Sequence, residues 1–179
     1  MTLTFLTGGA RSGKSALAVR RAERYDGPVV FVATAHAGDG EMADRIARHR
    51  AERPAGWGTV EAPVDLAGAV AAQTGDALLL IDCLSLWVAN LGGLEETEEQ
   101  VLARADAALE AIARRTAPVL VVTNEVGLGL VPMHPVGRAY RDTLGRVNAR
   151  FSRAADEALL VVAGRTLRLD DPKGETSDE

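Results

Sequence analysis

Cysteine is almost absent from this sequence, and so is any long apolar run. The single cysteine among 179 residues is Cys83, which excludes an internal disulfide and a zinc site built from several cysteines. No apolar run approaches the ~20 residues that a membrane-spanning helix needs. The first residues carry neither the basic segment nor the long apolar segment of a secretion signal. We therefore expect a cytoplasmic protein with no membrane span.

An excess of positive charge is absent too. The formal net charge is -5 at pH 7, so the chain has no broad basic surface to hold the phosphate backbone of a nucleic acid. We therefore expect no nucleic acid partner. Net charge does not describe a single pocket, and this balance does not argue against a small anionic ligand.

The composition is that of an ordinary globular protein. Hydrophobic residues make up 47% of the chain and charged residues 25%, which is the usual range for a folded domain. The length suits one domain with one core. We expect that domain to span residues 1–169, with a disordered acidic tail over residues 170–179.

Short apolar runs alternate with longer stretches of helical composition. The runs are apolar on both faces, as in parallel strands that helices cover on both sides. The predicted strands span residues 3–7, 29–33, 77–81, 119–122 and 158–162. The predicted helices span residues 15–24, 41–53, 64–73, 96–115 and 137–157, the last interrupted at Gly145. The pattern predicts an α/β fold with an open, mostly parallel sheet and right-handed crossovers.

The turn after the first predicted strand matches the phosphate-loop pattern G-x-x-x-x-G-K-S/T. Its glycines let successive N–H groups face phosphate oxygens, and the helix that follows adds its positive dipole end. We expect Lys14 to reach the β- and γ-phosphates and the Ser15 hydroxyl to bind Mg²⁺. The predicted nucleotide-binding loop comprises Gly8, Gly9, Ala10, Arg11, Ser12, Gly13, Lys14 and Ser15.

Polar residues also follow two later predicted strands. Asp82 follows the third; an acid there either helps to hold the metal beside Ser15 or caps the next helix, and we favour the metal. Asn124 and Glu125 follow the fourth. They either contact substrate or form the turn that closes the strand, and the sequence does not separate these two interpretations.

His49 shares a predicted helix face with Met42 and Ile46, at helical spacing. Neighbouring arginines, Arg48 and Arg50 among them, favour a neutral imidazole at pH 7, and a neutral imidazole is a nucleophile. Position alone favours a different interpretation, a histidine that is solvated or lies at the edge of the core.

Four segments together resemble one enzyme family. They read GGARSGKS over residues 8–15, EMAxRIxxHR over 41–50, VTNEVGLGLVP over 122–132 and YRDxxGRVN over 140–148. In this order and at these separations they are similar to the bifunctional adenosylcobinamide kinase / adenosylcobinamide-phosphate guanylyltransferase family. The resemblance covers nearly the whole chain and implies a phosphate-loop NTPase fold of the RecA-like type.

The resemblance implies two successive reactions. The first phosphorylates the hydroxyl on the aminopropanol arm of adenosylcobinamide with ATP or GTP. The second transfers GMP from GTP onto that phosphate and gives adenosylcobinamide-GDP and pyrophosphate, with Mg²⁺ as the metal. In the family the GMP passes through a covalent bond to a histidine, and the matching residue is His49. The alternatives are a plain phosphate-loop kinase without guanylyl transfer and a non-enzymatic nucleotide switch.

The resemblance also implies binding residues beyond the phosphate loop. Glu61 is the candidate acceptor for the guanine N1 and N2 hydrogens. Some relatives carry Glu at the position of Asp82, which leaves open whether this carboxylate meets the metal or the nucleotide. The family is described as trimeric, so we expect a homo-oligomer. The further predicted nucleotide contacts are Ala33, Thr34, Ala35, Arg50, Ala51, Glu52, Arg53, Glu61 and Asp82.

Overall fold

Seven strands form one mixed sheet in the computed structural model, which describes residues 2–36, 54–73, 75–93 and 95–170. The strands are β1 (Leu3–Thr7), β2 (Val29–Ala33), β3 (Gly58–Glu61), β4 (Leu78–Asp82), β5 (Val119–Val122), β6 (Glu157–Val162) and β7 (Arg165–Leu169). The helices are α1 (Lys14–Ala22), α2 (Leu66–Ala72), α3 (Leu84–Gly93), α4 (Glu98–Ala113) and α5 (Pro135–Ala154).

The strand order is β3-β2-β4-β5-β1-β6-β7. Strands β1 to β6 pair in parallel, and β7 pairs with β6 in the antiparallel sense. One strand, β5, therefore separates β1, which leads into the phosphate loop, from β4, which ends at Asp82. The prediction of a mostly parallel α/β sheet is confirmed.

Side chains from the central strands alternate between two apolar clusters, one on each face of the sheet. Phe5 and Ile81 belong to the cluster that α2, α3, α4 and α5 cover, with Trp87 and Phe151 fully buried in it. Leu6 lies in the second cluster, beneath α1. Burial on both faces explains why these strands read as continuous apolar runs.

Local sequence determines where several helices begin. Thr97 and Gln100 form a capping box before α4, each side chain bonding the backbone N–H of the other. Asp65 accepts a hydrogen bond from the Gly68 N–H at 2.9 Å and caps α2. Helix α5 begins with a proline, Pro135, which lacks the N–H that a first helical turn would leave unpaired.

The predicted strands at 3–7, 29–33 and 119–122 are confirmed, the strand predicted at 77–81 is shifted by one residue, and the strand predicted at 158–162 begins one residue earlier. The interruption at Gly145 is wrong, because α5 continues through it. Strands β3 and β7 and helix α3 were not predicted. The two strands are largely exposed and carry little apolar pattern, whereas α3 is apolar around most of its surface and lacks a polar face.

Two predictions fall on parts of the chain outside the described residues. These are the helix over residues 41–53 and the disordered tail, of which only the first residue is described. Within the described ranges, no helix combines the length and the apolar character needed to span a bilayer.

Candidate active site

The polar residues predicted from the strand ends lie along the side of the sheet formed by the carboxyl ends of the parallel strands, which we call the site edge. Ala33 at the end of β2 is aligned with Glu61 on one side and with Asp82 on the other. Asp82 is aligned with Val122 of β5, and Val122 with Leu6 of β1. Adjacent strands lie ~4.8 Å apart, which places Glu61 roughly 19 Å across the sheet from β1. The edge is long enough to separate a base-binding end from a phosphate-binding end.

The phosphate loop has two positions where glycine is required by its surroundings. A Cβ on Gly8 would lie 2.3 Å from the carbonyl oxygen of Val161 in β6, so the loop crosses β6 too closely for any side chain. Gly13 has φ 99° and is the N-cap of α1, a conformation that glycine adopts without steric cost. The loop therefore packs against β6 before it enters the helix.

Two carbonyl groups of the loop are tied to neighbouring segments and a third to the loop's own lysine. The Gly8 oxygen accepts from the Glu125 N–H at 3.1 Å, and the Ser12 oxygen accepts from the Gly164 N–H at 2.8 Å. The Gly9 oxygen accepts from the Lys14 ammonium at 3.0 Å. Because C=O and N–H groups of a peptide point in opposite directions, holding these carbonyls favours a concave row of N–H groups that suits an anion.

Lys14 lies in the first turn of α1 and is only 7% exposed. A buried ammonium group needs partners, and its bond to the Gly9 oxygen supplies one of them. Ser12 is also buried, and within the described part of the chain its hydroxyl has no hydrogen-bond partner. A phosphate group would supply acceptors for both side chains, so the loop fits the ligand that its sequence predicts.

Asp82 ends β4, and Lys14 lies in the first turn of α1 just after β1. Because β4, β5 and β1 are parallel neighbours, the carboxylate and the phosphate loop lie at the same end of the sheet, with β5 between their strands. Burial, and after it the charge of the adjacent Asp82, raises the pKa of the Cys83 thiol to about 11, while the charge of Lys14 lowers it.

The residues present fit a magnesium ion. Mg²⁺ prefers oxygen ligands and is usually held by one or two side chains together with substrate phosphates. The half-buried Ser15 hydroxyl and the half-buried Asp82 carboxylate supply such oxygens at this edge. Among the described residues no cluster of three or more His, Cys, Asp and Glu side chains could hold a metal. A site that depends on nucleotide phosphates matches this donor set.

Thr34 has a structural role at the same edge. Its hydroxyl accepts from the Cys83 N–H and donates to the Cys83 carbonyl, both at 2.7 Å, and the Asp82–Cys83 peptide is cis. The Thr34 carbonyl accepts from the Asn90 amide at 2.8 Å. Thr34 is fully buried, so it holds β2 and β4 together beneath the site. Its predicted contact with nucleotide stays a prediction, as do those of Ala33 and Ala35.

A chain of polar groups that sequence reasoning missed lies behind Asp82. The Ser85 hydroxyl lies 2.9 Å from the Cys83 sulfur and accepts from the Asn124 amide at 2.8 Å. Asn148 donates to the Asn124 carbonyl at 3.0 Å and accepts from the Thr123 hydroxyl at 2.8 Å. We call Thr123, Asn124, Ser85, Asn148 and Tyr140 the polar network. It connects the ends of β4 and β5 to α5.

Tyr140 completes the polar network by donating to the Ser85 carbonyl at 3.0 Å. Burial, and after it the nearby Cys83, raises the pKa of Tyr140 to about 12, so its hydroxyl keeps its proton at neutral pH. Glu125 accepts from the Gly127 N–H at 2.7 Å. Glu125 therefore makes a turn-forming contact, whereas Asn124 is held by Ser85 and Asn148. A contact of either residue with substrate stays a prediction.

Some predicted site residues lie outside the described residues. The nucleophile predicted by resemblance, His49, is among them, with the predicted nucleotide contacts Arg50, Ala51, Glu52 and Arg53. Glu61 is described and lies exposed at the end of β3. The described edge thus contains the phosphate end of the predicted site and the candidate base contact.

The sequence profile of one family, described as cobinamide kinase / cobinamide phosphate guanyltransferase, matches residues 4–169. The bifunctional adenosylcobalamin biosynthesis protein CobP of Pseudomonas aeruginosa is 40% identical over 171 residues, which cover 95% of this chain and 96% of that protein. The protein of the same description called CobU, from Salmonella typhimurium, is 40% identical over 178 residues, covering 90% and 96%.

Two solved structures share the fold at low sequence identity. An ATPase from the type III secretion system of pathogenic bacteria has a TM-score of 0.55 at 12% identity, covering 89% of this chain and 50% of that one. The protein PH0250 of Pyrococcus horikoshii has a TM-score of 0.58 at 8% identity, covering 97% and 88%. With the fold, the phosphate loop and the family profile in agreement, the chain belongs to the cobinamide kinase / cobinamide phosphate guanyltransferase family.

Proposed function

We propose that this chain catalyses both reactions of its family: phosphorylation of adenosylcobinamide with ATP or GTP, then transfer of GMP from GTP to the new phosphate. The observation that carries the proposal is the phosphate loop, with Lys14 buried in it and Asp82 at the same end of the sheet. The family profile, which spans that loop and the rest of the domain, supplies the acceptor.

In the kinase reaction the acceptor hydroxyl attacks the γ-phosphorus and loses its proton. An oxygen–phosphorus bond forms, and the bond between the γ-phosphorus and the β,γ-bridging oxygen breaks. Lys14 exchanges its contact with the Gly9 carbonyl for oxygens of the β- and γ-phosphates, where negative charge develops. The N–H groups of the loop hold the phosphates in line with the acceptor.

Ser15 and Asp82 are the residues that hold Mg²⁺ in this proposal. When bound, Mg²⁺ neutralises charge on the phosphates and helps to orient them. The polar network and Thr34 fix the strand end that carries Asp82. Their contribution is to keep the carboxylate in place while nucleotides exchange.

In the guanylyl transfer His49 is the nucleophile. Its imidazole attacks the α-phosphorus of GTP, a phosphorus–nitrogen bond forms, and pyrophosphate leaves. A phosphate oxygen of the phosphorylated acceptor then attacks the same phosphorus, and the phosphorus–nitrogen bond breaks. Arg50 and Arg53 bind nucleotide phosphates during the transfer. Ala51 and Glu52 are the other proposed contacts in that segment, and Glu61 accepts the guanine N1 and N2 hydrogens.

The test uses the full chain with Mg²⁺ and GTP that carries radioactive phosphorus at the α position. We expect a covalent label that is stable to base and labile to acid, as for a phosphorus–nitrogen bond. His49→Ala abolishes the label and spares the kinase reaction, and His36→Ala, which removes another histidine, keeps it. Labelling of His49→Ala would rule out this histidine as the carrier, and a wild-type chain that phosphorylates cobinamide without any label would be a kinase alone.

The same resemblance supports a homotrimer in the cytoplasm. Light scattering of the purified chain tests the assembly, because a trimer has three times the 18.9 kDa mass of one chain. A monomer at working concentration would contradict it.

A further inference from the structure

The segment between β5 and α5 exposes an unusual amount of apolar side chain. We call residues 126–136, which end in the first turn of α5, the apolar loop. Val126 packs against the core, and the residues after it point outward. The exposed fractions are 83% for Leu128, 97% for Leu130, 64% for Val131, 90% for Met133 and 80% for Val136. Contiguous exposed apolar surface of this kind marks a binding surface more often than a solvated one.

The loop is held at both ends. At its start, the Glu125 N–H bonds the Gly8 carbonyl of the phosphate loop at 3.1 Å, and Glu125 also accepts from the Gly127 N–H at 2.7 Å. At its end, the Arg138 guanidinium donates to the Pro132 and Met133 carbonyls at 3.1 and 2.8 Å. The apolar loop therefore starts at the phosphate loop and is fixed at its other end to the first turn of α5.

The loop also lacks charge. From Val126 to Gly137 the sequence contains no Asp, Glu, Lys or Arg, and its one titratable side chain is His134. A surface of this kind offers nothing to the phosphates of a nucleotide. Its complement is a large, uncharged ligand with apolar faces that must lie close to the phosphate loop.

The proposed acceptor has that chemistry. Its reactive hydroxyl is at the end of a short arm, whereas the corrin ring is a broad macrocycle with methyl groups on its faces and neutral amides at its rim. When the arm reaches the γ-phosphate, the ring must lie just outside the crevice. We propose that the apolar loop is the surface on which the corrin ring docks, with Leu128 and Leu130 as its main contacts; this rests on the proposed function.

The test replaces both leucines in the full chain, as Leu128→Ser with Leu130→Ser. Cobinamide binding is followed by equilibrium dialysis at its visible absorbance, and kinase assays give KM for cobinamide and for GTP. Loss of two apolar contacts weakens cobinamide binding roughly tenfold or more and raises its KM equally. We expect KM for GTP to stay the same. The single variant Leu130→Met, which keeps an apolar side chain, should retain most of the wild-type affinity for cobinamide.

The matched control is Leu167→Ser. Leu167 lies on β7 and is 62% exposed. The substitution therefore removes a leucine side chain from a different surface, and cobinamide binding should be unchanged. Equal weakening in this control would show a general effect of lost leucine and would overturn the inference.

Other outcomes also decide the question. Unchanged cobinamide binding in the double variant overturns the docking surface while leaving the proposed function in place. A fall in the mass measured by light scattering, with binding per folded site intact, assigns the loop to contact with a second copy of the chain and overturns the inference as well. If the wild-type chain binds no cobinamide, the proposed function is wrong, and the docking surface with it.

Discussion

The phosphate loop and the polar network are held together in different ways. The loop is eight consecutive residues, and it is shaped by backbone: glycines at close approaches and carbonyls tied by hydrogen bonds. The network joins residues from the first turn of α3, from the segment after β5 and from α5, and its bonded partners lie up to 55 positions apart in sequence. A loop built from backbone tolerates no added atom at its contact points, whereas a network built from side chains fails when one member leaves another unpaired.

The largest effect should follow removal of the charge from the loop. Lys14→Ala is expected to lower phosphoryl transfer about 100- to 1000-fold, because one preorganised donor to developing phosphate charge is lost. Guanylyl transfer should fall as well, since both reactions need the phosphates held. Rates from assays with each purified variant test this. Lys14→Met keeps the apolar stem of the side chain and should be equally inactive. If either variant keeps the wild-type rate of phosphoryl transfer, the phosphates bind elsewhere.

The backbone character of the loop is tested by adding one carbon atom. Gly8→Ala places a Cβ 2.3 Å from the Val161 carbonyl oxygen, and we expect the free energy of unfolding to fall by about 2 kcal/mol or more. Gly9→Ala is the matched variant, because no atom lies within 4 Å of its Cβ. Urea titrations give the free energy of unfolding of both variants. Equal losses in the two variants would contradict the close approach at Gly8.

The side-chain character of the network is tested at Asn148. Asn148→Ala leaves the buried Thr123 hydroxyl and the Asn124 carbonyl without their partner, and we expect a loss of roughly 1–3 kcal/mol in the free energy of unfolding. The control is Arg150→Ala, which lies on the same helix as Asn148. It breaks an exposed ion pair with Asp106 of α4 and should cost under about 1 kcal/mol. If Asn148→Ala is as stable as Arg150→Ala, the hydrogen bonds of the polar network do not contribute to the stability of the fold.

The last expected effect is confined to alkaline pH. Burial raises the pKa of Cys83 from 9.0 to about 11, so the folded chain favours the neutral thiol. This favourable contribution is fully present below pH 9.0 and is lost as pH rises toward about 11. Unfolding free energies measured across that range should fall more steeply for the wild type than for Cys83→Ala. The difference between the curves reports the thiol together with its effect on Tyr140; parallel curves would contradict the assignment.

Sequence reasoning succeeded where the signal lies within a few consecutive residues. The phosphate loop is such a case, because its glycines, lysine and serine determine a local backbone shape with the chemistry attached. The buried strands are another, since burial on both faces leaves a continuous apolar run. Sequence reasoning missed strand β7 for the opposite reason. All of its residues are exposed, so its pairing with β6 leaves no apolar pattern.

The polar network had little local signal. Asn124 was a candidate because it follows a predicted strand, but nothing in the sequence linked it to Ser85 or Asn148. Only the strand order β4-β5-β1 together with the packing of α5 brings these residues together. The same holds for the apolar loop. Its leucines are visible in the sequence, but a run of apolar residues reads equally well as core until burial is known.

The sequence by itself determined that a loop of the phosphate-binding pattern follows β1, because its glycines, its lysine and the start of its helix are adjacent residues. It also determined the family, through four segments at their separations. Tertiary structure decided which residues share that site. It placed Asp82 at the same end of the sheet as Lys14, with β5 between their strands, and it buried Thr34 between β2 and β4. It also left the apolar loop exposed. These relations depend on how the whole sheet is assembled, which no short stretch of sequence determines.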